Sequence, residues 1–141
     1  MSAFKTSWHV RFADTDPAGI VFYPRYFEMV NGVVENWCAE ALEWSFKEQL
    51  IDSKVGLPTV HLEADFINPS FLGDDLDITL QILTLGRTSC TLSITASCKG
   101  EKRFVVRPVL VLIDTIKYKA QAFPDHIREK MLPFLVDHDD D

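Results

Sequence analysis

Residues 4 to 12 alternate between apolar and polar side chains, which is the period of a β-strand. One face carries Phe4, Thr6, Trp8, Val10 and Phe12, and the other carries Lys5, Ser7, His9 and Arg11. Because successive side chains of a strand point to opposite faces of its sheet, this pattern predicts a first strand with one apolar face.

A period of three to four residues replaces the alternation after Pro24. Apolar side chains recur at Phe27, Val30, Val34, Trp37 and Ala41. This spacing predicts an amphipathic helix from Pro24 to about Leu42, since proline is tolerated in the first turn of a helix. Ser45 and Glu48 have the spacing of a capping box, which predicts a short second helix that ends before Gly56.

Most of the second half of the chain has the pattern of strands. Alternation from Val60 to Phe66 is followed by the segments LDITLQILTLG, TSCTLSITASCKG and RFVVRPVLVLIDT. The short junctions Gly86-Arg87 and Gly100-Glu101 predict antiparallel hairpins. The apolar run in the last segment is typical of a central strand covered on both faces. Residues from Pro124 to Leu132 have the pattern of a terminal helix.

The order of these elements predicts an α+β fold. An antiparallel sheet packed around one long helix is the simplest arrangement that buries the apolar faces of both. We expect a single domain over residues 1–141, because no linker or repeat divides the chain. The residues from about 134 to 141 include the acidic stretch VDHDDD, and we expect this tail to be frayed rather than to bind metal.

Charge and cysteine content narrow the possible functions. The net charge of -7 argues against a nucleic-acid partner, which requires a basic face. The three cysteines are too few for a disulfide framework or a zinc site, so we expect them in the core. The N-terminus has no apolar leader and no apolar run reaches the length of a bilayer span, so we expect no membrane span and a cytoplasmic protein.

The segment FADTDPAGIVFYPRYFEMV places a carboxylate, Asp16, between the predicted first strand and the long helix. A helix N-terminus offers free N–H groups and a partial positive charge, so the N–H of Tyr23 can polarise a carbonyl oxygen. The carboxylate and this donor form the two halves of an acyl-transfer site, and Ile20 to Phe22 would line a dry pocket. Alternatively, Asp14 and Asp16 only satisfy N–H groups of the turn and cap.

The segments DTDPAGIVFYPRY, GLPTVHLEADFINPSFLGDDLDI and LGRTSCTLSI resemble the 4-hydroxybenzoyl-CoA thioesterase family, small acyl-CoA thioesterases of the hotdog fold. The resemblance extends to about residue 113. It implies a sheet wrapped around a long central helix, with Asp16 as the catalytic carboxylate and the backbone N–H of Tyr23 on the thioester oxygen. It also implies homodimers or homotetramers with active sites between subunits. Coenzyme A would be part of the substrate, and no separate cofactor or metal is expected.

The resemblance also implies coenzyme contacts at Arg87 and Ser89, with Arg87 on a phosphate; the alternative is a solvent-exposed arginine in a hairpin. A second basic group could serve the nucleotide end; it comprises Lys99, Lys102 and Arg103. Further candidate substrate contacts are Gly19, Phe22, Tyr26 and His61. His9 and His126 are expected to face solvent. The roles of Asp14 and Arg25 stay open, since each could be structural or functional.

The expected reaction converts an acyl-CoA thioester and water into a carboxylic acid and free coenzyme A. Asp16 would act as a nucleophile or as a general base, because both routes need the same carboxylate. The resemblance allows aromatic acyl groups, such as hydroxybenzoyl or naphthoyl, or short aliphatic ones; Leu57 departs from the hydroxybenzoyl enzyme. The alternatives are a non-catalytic acyl-CoA binding domain and a hydratase or dehydratase. The missing Asp-x-x-x-x-His motif counts against the last.

Overall fold

The computed structural model describes residues 2–136, which fold into a sheet, a long helix and shorter elements. The strands and α-helices are β1 Phe4–His9, α1 Pro24–Glu40, β2 Val55–Gly56, β3 Thr59–Phe66, β4 Asp75–Leu85, β5 Ser89–Cys98, β6 Glu101–Val111, β7 Ile113–Asp114, β8 Lys119–Ala120 and α2 Asp125–Met131. The predicted helices and strands are present. Strands β2 and β8 were not predicted, because two residues are too few to show a period. Strand β7 lies within the predicted last strand, which the structure divides after Val111.

The main sheet has five antiparallel strands in the order β1-β4-β5-β6-β3. The hairpins β4–β5 and β5–β6 confirm the prediction from the short glycine junctions. His9 at the end of β1 lies opposite Asp75 at the start of β4, and Phe66 at the end of β3 lies opposite Phe104. The loops that follow β1 and β3 therefore meet at one end of the sheet.

The core lies between the sheet and α1. Alternate residues of β4 and β5 are buried, and α1 adds one apolar face. The largest fully buried side chains include Trp37, Phe104, Met29, Leu76, Ile78, Leu80, Ile82, Leu92 and Ile94. Burying a side chain of this size contributes about 1.5–3 kcal/mol. All three cysteines are free and buried, which confirms their prediction as core residues.

The predicted capping box is confirmed at the start of the short second helix. The N–H of Glu48 donates to Oγ of Ser45 at 3.1 Å, and the N–H of Ser45 donates to Oε1 of Glu48 at 3.2 Å. The turn that follows, Glu48–Asp52, has π-helical hydrogen bonding. None of the helices within residues 2–136 is long and apolar enough to cross a membrane.

Two expectations about the strands were wrong. The first strand ends at His9, and Phe12 is 81% exposed because the chain turns into the 3-10 helix Phe12–Asp14. Strand β6 lies inside the sheet as predicted, but within one chain only alternate residues are fully buried. A run of apolar residues does not show what covers the second face of a strand.

The expectation of a frayed tail from about residue 134 was wrong for its first residues. Phe134 packs edge-on against Trp37 with ring centroids 5.8 Å apart. Leu135 forms a bridge with Ile82, and the N–H of Val136 donates to the carbonyl of Ile82 at 2.9 Å. These apolar side chains gain more from contact with the core than from solvent. The rest of the predicted tail, residues 137–141, lies outside the described residues.

Candidate active site

Residues 15–21, which we call the carboxylate turn, form a tight antiparallel reversal between β1 and α1. The N–H of Asp16 donates to the carbonyl of Ile20, and the N–H of Gly19 donates to the carbonyl of Asp16, each at 2.9 Å. Gly19 has a φ of +80°, in the left-handed region that favours glycine. The sequence Asp-Pro-Ala-Gly therefore fixes the backbone that carries the Asp16 side chain.

The Asp16 carboxylate is both anchored and available. Its Oδ1 accepts the N–H of Ala18 at 2.8 Å. Its Oδ2 has no recorded partner among the described residues, and the side chain is only half-buried. It lines a depression of about 440 Å³ together with Phe12, Gly19 and Leu72. The turn thus holds the carboxylate in place and leaves one oxygen free to react.

Asp14 has a structural role in this geometry. Its Oδ2 accepts the N–H of Arg11 at 3.0 Å, which closes the short 3-10 helix. Its carbonyl accepts the N–H of Phe22 at 2.9 Å, which joins this helix to the start of α1. The alternative that the sequence left open, a turn-capping acid, therefore describes Asp14.

The start of α1 leaves one backbone donor free. The N–H of Val21 donates to the carbonyl of Ser70, and that of Phe22 donates to the carbonyl of Asp14. Pro24 has no N–H to give. The N–H of Tyr23, at the N-cap, has no recorded partner within residues 2–136. It lies at the positive end of the helix dipole, where a free donor stabilises a developing negative charge.

An apolar depression of about 250 Å³ adjoins this N-cap. Tyr26 is buried there and stacks on Phe66 at a centroid distance of 5.6 Å. The residues that line it are Ile20, Val21, Tyr23, Tyr26, Phe66, Ile67, Asn68 and Pro69. Phe22 does not line it, contrary to the expectation for Ile20 to Phe22. Its half-exposed ring lies edge-on to Tyr23 at 6.0 Å.

The expected dry pocket is not present within one chain. Asp16 and Tyr23 line two different depressions, and each of these is open to solvent. Large apolar side chains near them are exposed, among them Phe12, Phe71 and Leu72.

Three predicted contacts lie away from Asp16. Arg87 is exposed in the β4–β5 turn, at the far end of the eleven-residue β4, which spans about 35 Å. The carbonyl of Ser89 accepts the N–H of Gly86 at 2.8 Å and closes the same turn. His61 is exposed on β3, opposite Val109. Asp16, Gly19, Phe22, Tyr23 and Tyr26 therefore lie between β1 and the first turn of α1, and the other three predicted contacts lie elsewhere in the chain.

Of the second basic group, Arg103 does not have the exposed position that was expected for a contact with the nucleotide end. Lys99 and Lys102 are exposed at the β5–β6 hairpin, at the Asp16 end of the sheet. Arg103 is only 7% exposed, and its Nη1 donates to Oδ2 of Asp74 at 2.6 Å. Arg103 is thus unsuitable as a phosphate ligand, because its charge is already paired inside the protein. Arg25 is paired with Glu28 at 2.8 Å on the surface of α1.

The histidines at positions 9 and 126 and the possible metal ligands were also located in the structure. His9 and His126 are exposed as predicted, and Nδ1 of His9 lies 2.6 Å from Oδ1 of Asp75. Among residues 2–136, no three His, Cys, Asp or Glu side chains are grouped so that they could hold a metal ion.

The family model of the thioesterase-like superfamily matches residues 10–131, which include the carboxylate turn and all of α1. The chain belongs to this superfamily. A 1,4-dihydroxy-2-naphthoyl-CoA hydrolase from Nostoc punctiforme is 34% identical over 123 residues, which cover 84% of this chain and 79% of that protein.

Solved structures of thioesterases have the same fold. A thioesterase superfamily protein from Jannaschia sp. CCS1 superimposes with a TM-score of 0.88 at 27% identity, covering 96% of this chain and 95% of that one. A gentisyl-coenzyme A thioesterase gives a TM-score of 0.80 at 29% identity, covering 89% of this chain and 99% of that one. These matches confirm the predicted α+β hotdog fold.

Superfamily membership confirms the resemblance at its broader level. The specific name, 4-hydroxybenzoyl-CoA thioesterase, is narrower than the comparisons support. The relatives named above are a 1,4-dihydroxy-2-naphthoyl-CoA hydrolase and a gentisyl-coenzyme A thioesterase. What this thioesterase-like chain shares with them is the fold and most of its length.

Proposed function

We propose that this protein is an acyl-CoA thioesterase that hydrolyses an aromatic acyl-CoA to the carboxylic acid and free coenzyme A. Thioester hydrolysis is the activity in the name of the superfamily and of the relatives, in agreement with the reaction predicted from the sequence. The observation that carries the proposal is the free Oδ2 of Asp16 near a helix N-cap whose Tyr23 N–H is also free.

In the proposed reaction, the thioester oxygen accepts a hydrogen bond from the N–H of Tyr23. The dipole of α1 and this donor stabilise the oxyanion that forms when the carbonyl carbon is attacked. If Asp16 attacks, the coenzyme A thiolate leaves and water hydrolyses the resulting mixed anhydride. If Asp16 acts as a base, it takes a proton from the attacking water, and the proton passes to the departing thiolate.

The aromatic rings beside Tyr23 favour an aromatic acyl group. Tyr26 and Phe66 are stacked, and both line the depression next to the free N–H. Aromatic rings attract one another by about 0.5–1.5 kcal/mol beyond the burial of their area. The names of the relatives, a dihydroxynaphthoyl-CoA hydrolase and a gentisyl-CoA thioesterase, support the same substrate class.

The proposal includes a homodimer or homotetramer with sites between subunits. Strand β3 is an open edge of the sheet, and Val60, Leu62 and Phe66 on it are exposed. Exposed apolar edges of this kind call for pairing or cover. A neighbouring subunit would close the site and supply Arg87 and Ser89 for the coenzyme. A cytoplasmic location is also part of the proposal, in agreement with three free thiols.

Substitution of Asp16 tests the proposal. Asp16→Asn should lower thiol release from aromatic acyl-CoAs by roughly 10³-fold or more, since asparagine is neither nucleophile nor base. The matched control is Asp14→Asn, which keeps a side-chain oxygen for the N–H of Arg11 and should retain turnover. Thiol release would be followed over a panel of aromatic and short aliphatic acyl-CoAs. Binding without thiol release by the wild-type protein would favour a binding domain instead.

A further inference from the structure

Residues 67–74, which connect β3 to β4 and which we call the bracing segment, hold the carboxylate turn in place. The carbonyl of Ser70 accepts the N–H of Val21 at 2.9 Å. The carbonyl of Gly19 accepts the N–H of Leu72 at 3.0 Å. The turn is therefore hydrogen-bonded to the bracing segment at two positions, and its placement depends on where that segment lies.

Arg103 of β6 binds the bracing segment along its whole length. Its Nη1 donates to the carbonyl of Pro69 at 3.0 Å and to Oδ2 of Asp74 at 2.6 Å. Its backbone carbonyl accepts the N–H groups of Ile67 at 2.9 Å and of Asn68 at 3.2 Å. A segment without regular secondary structure is thus fixed at its beginning, its middle and its end by one residue.

The ion pair at the end of the segment is shielded from solvent. Burial alone would raise the pKa of Asp74, but hydrogen bonds from the N–H of Phe71 and from Arg103 outweigh it and lower that pKa. Burial would lower the pKa of Arg103, and the hydrogen bond and charge of Asp74 raise it instead. Nε of Arg103 also lies 3.0 Å from Oε1 of Glu101. Both partners of the pair are therefore charged near neutral pH.

We propose that Arg103 is a positioning residue for thioester hydrolysis, which acts through the bracing segment to set the Asp16 carboxylate against the N–H of Tyr23. This inference rests on the proposed function. Arg103 acts on the turn that carries one reacting group and, through the Ser70–Val21 hydrogen bond, on the chain just before the other. Its loss should lower kcat more than it changes KM, because misplacing a catalytic group by about 1 Å can cost roughly 100-fold.

Kinetics of three variants and a control test this role. Arg103→Met should lower kcat roughly 10- to 100-fold with KM changed by less than about threefold. Asp74→Ala, which removes the oxygen that accepts from Arg103, should show the same pattern. Arg103→Lys should recover part of the rate because it keeps a cation beside Asp74. The control is Arg107→Met on the same strand. Arg107 pairs with Asp65 at 2.8 Å on β3 and has no hydrogen bond to the bracing segment, so kcat should not change.

Amide hydrogen exchange supplies a second readout that does not depend on activity. The N–H groups of Val21 and Leu72 should exchange faster in Arg103→Met and at the wild-type rate in Arg107→Met. If the wild-type protein releases thiol and the Arg103 variants keep both kcat and these exchange rates, the positioning role is wrong and the thioesterase stands. If Arg103→Met does not fold, an unchanged kcat in Asp74→Ala overturns the role. A wild-type protein that releases no thiol refutes both proposals.

Discussion

At the scale of single residues, the candidate site depends on backbone groups as much as on side chains. Asp16 is held by the N–H of Ala18, and the oxyanion donor that we propose is the backbone N–H of Tyr23. The identity of the Tyr23 side chain is therefore less important than the conformation of the backbone around it. The residue that allows the turn before it is Gly19, with its positive φ.

Substitution of Gly19 tests whether this position requires a left-handed backbone conformation, because no neighbouring atom would clash with an added side chain. An added Cβ at Gly19 meets nothing within 4 Å, so any effect of alanine comes from the φ of +80°. Gly19→Ala should destabilise the protein by about 1–2 kcal/mol and lower kcat, because an L-residue in this region is strained. Gly19→Asn is the matched control and should lose less, since asparagine adopts left-handed conformations more readily. Urea unfolding and thiol-release kinetics measure both effects; equal losses in the two variants would contradict the explanation.

At the scale of elements, the sequence predicts what is periodic and local. Helix α1 and the β4–β5 hairpin each show a clear period and an end signal, and both were predicted. The position of Asp16 before the start of α1 was also predicted, because the turn and the helix start lie in one short stretch of sequence. The exposure of both faces of β3 could not be predicted, since alternation shows which side chains share a face of a strand and not whether another element covers that face.

The hydrogen bonds of Arg103 to the bracing segment also could not be predicted from sequence patterns. Its partner Asp74 lies 29 positions away in the chain, and the ion pair forms only once β6 lies beside the loop that follows β3. A charged residue at the start of a strand normally indicates a solvated hairpin. Long-range contacts of a single polar side chain leave no period in the sequence, so the structure was needed to find them.

The interface between α1 and β5 leads to a prediction about pH. Burial raises the pKa of Cys38 on α1 to about 12 and that of Cys90 on β5 to about 12, from 9.0 for each. The folded state therefore keeps both thiols protonated after the unfolded state has begun to ionise. The free energy of unfolding should be unaffected by these thiols below pH 9 and should fall as pH rises from 9 towards 12, by at most about 1.4 kcal/mol per pH unit per thiol.

Urea unfolding between pH 7 and pH 10.5 measures this dependence. The control is the double variant Cys38→Ala/Cys90→Ala, in which a cavity lowers stability at every pH but the extra slope above pH 9 should disappear. An unchanged slope in the double variant would show that other groups cause the loss of stability. In the folded wild-type protein at pH 8, both thiols should also fail to react with a thiol reagent until urea is added.

At the scale of the whole molecule, the residues that we propose for catalysis and for the coenzyme lie at opposite ends of one chain. Asp16 and the free N–H of Tyr23 lie at one end of the sheet, and Arg87 lies at the other end of β4. One acyl-CoA could contact both residues if Arg87 of a second subunit lies near Asp16 of the first. The substrate would then not have to span the length of one chain. The exposed apolar edge at β3 and the open depressions near the turn are consistent with such an assembly.

Complementation between two inactive variants distinguishes a shared site from a site within one chain. Asp16→Asn should be inactive and Arg87→Ala should have a strongly raised KM, so each variant alone has low kcat/KM. If the site combines Asp16 of one subunit with Arg87 of another, co-expression of the two variants should restore about a quarter of the wild-type kcat/KM, because that fraction of sites draws both intact residues. If each site lies within one chain, no mixed assembly contains an intact site, and activity should stay at the average of the two variants. Light scattering of the same samples would establish whether mixed oligomers form at all, and a wild-type protein that is monomeric at assay concentration would contradict the shared site directly.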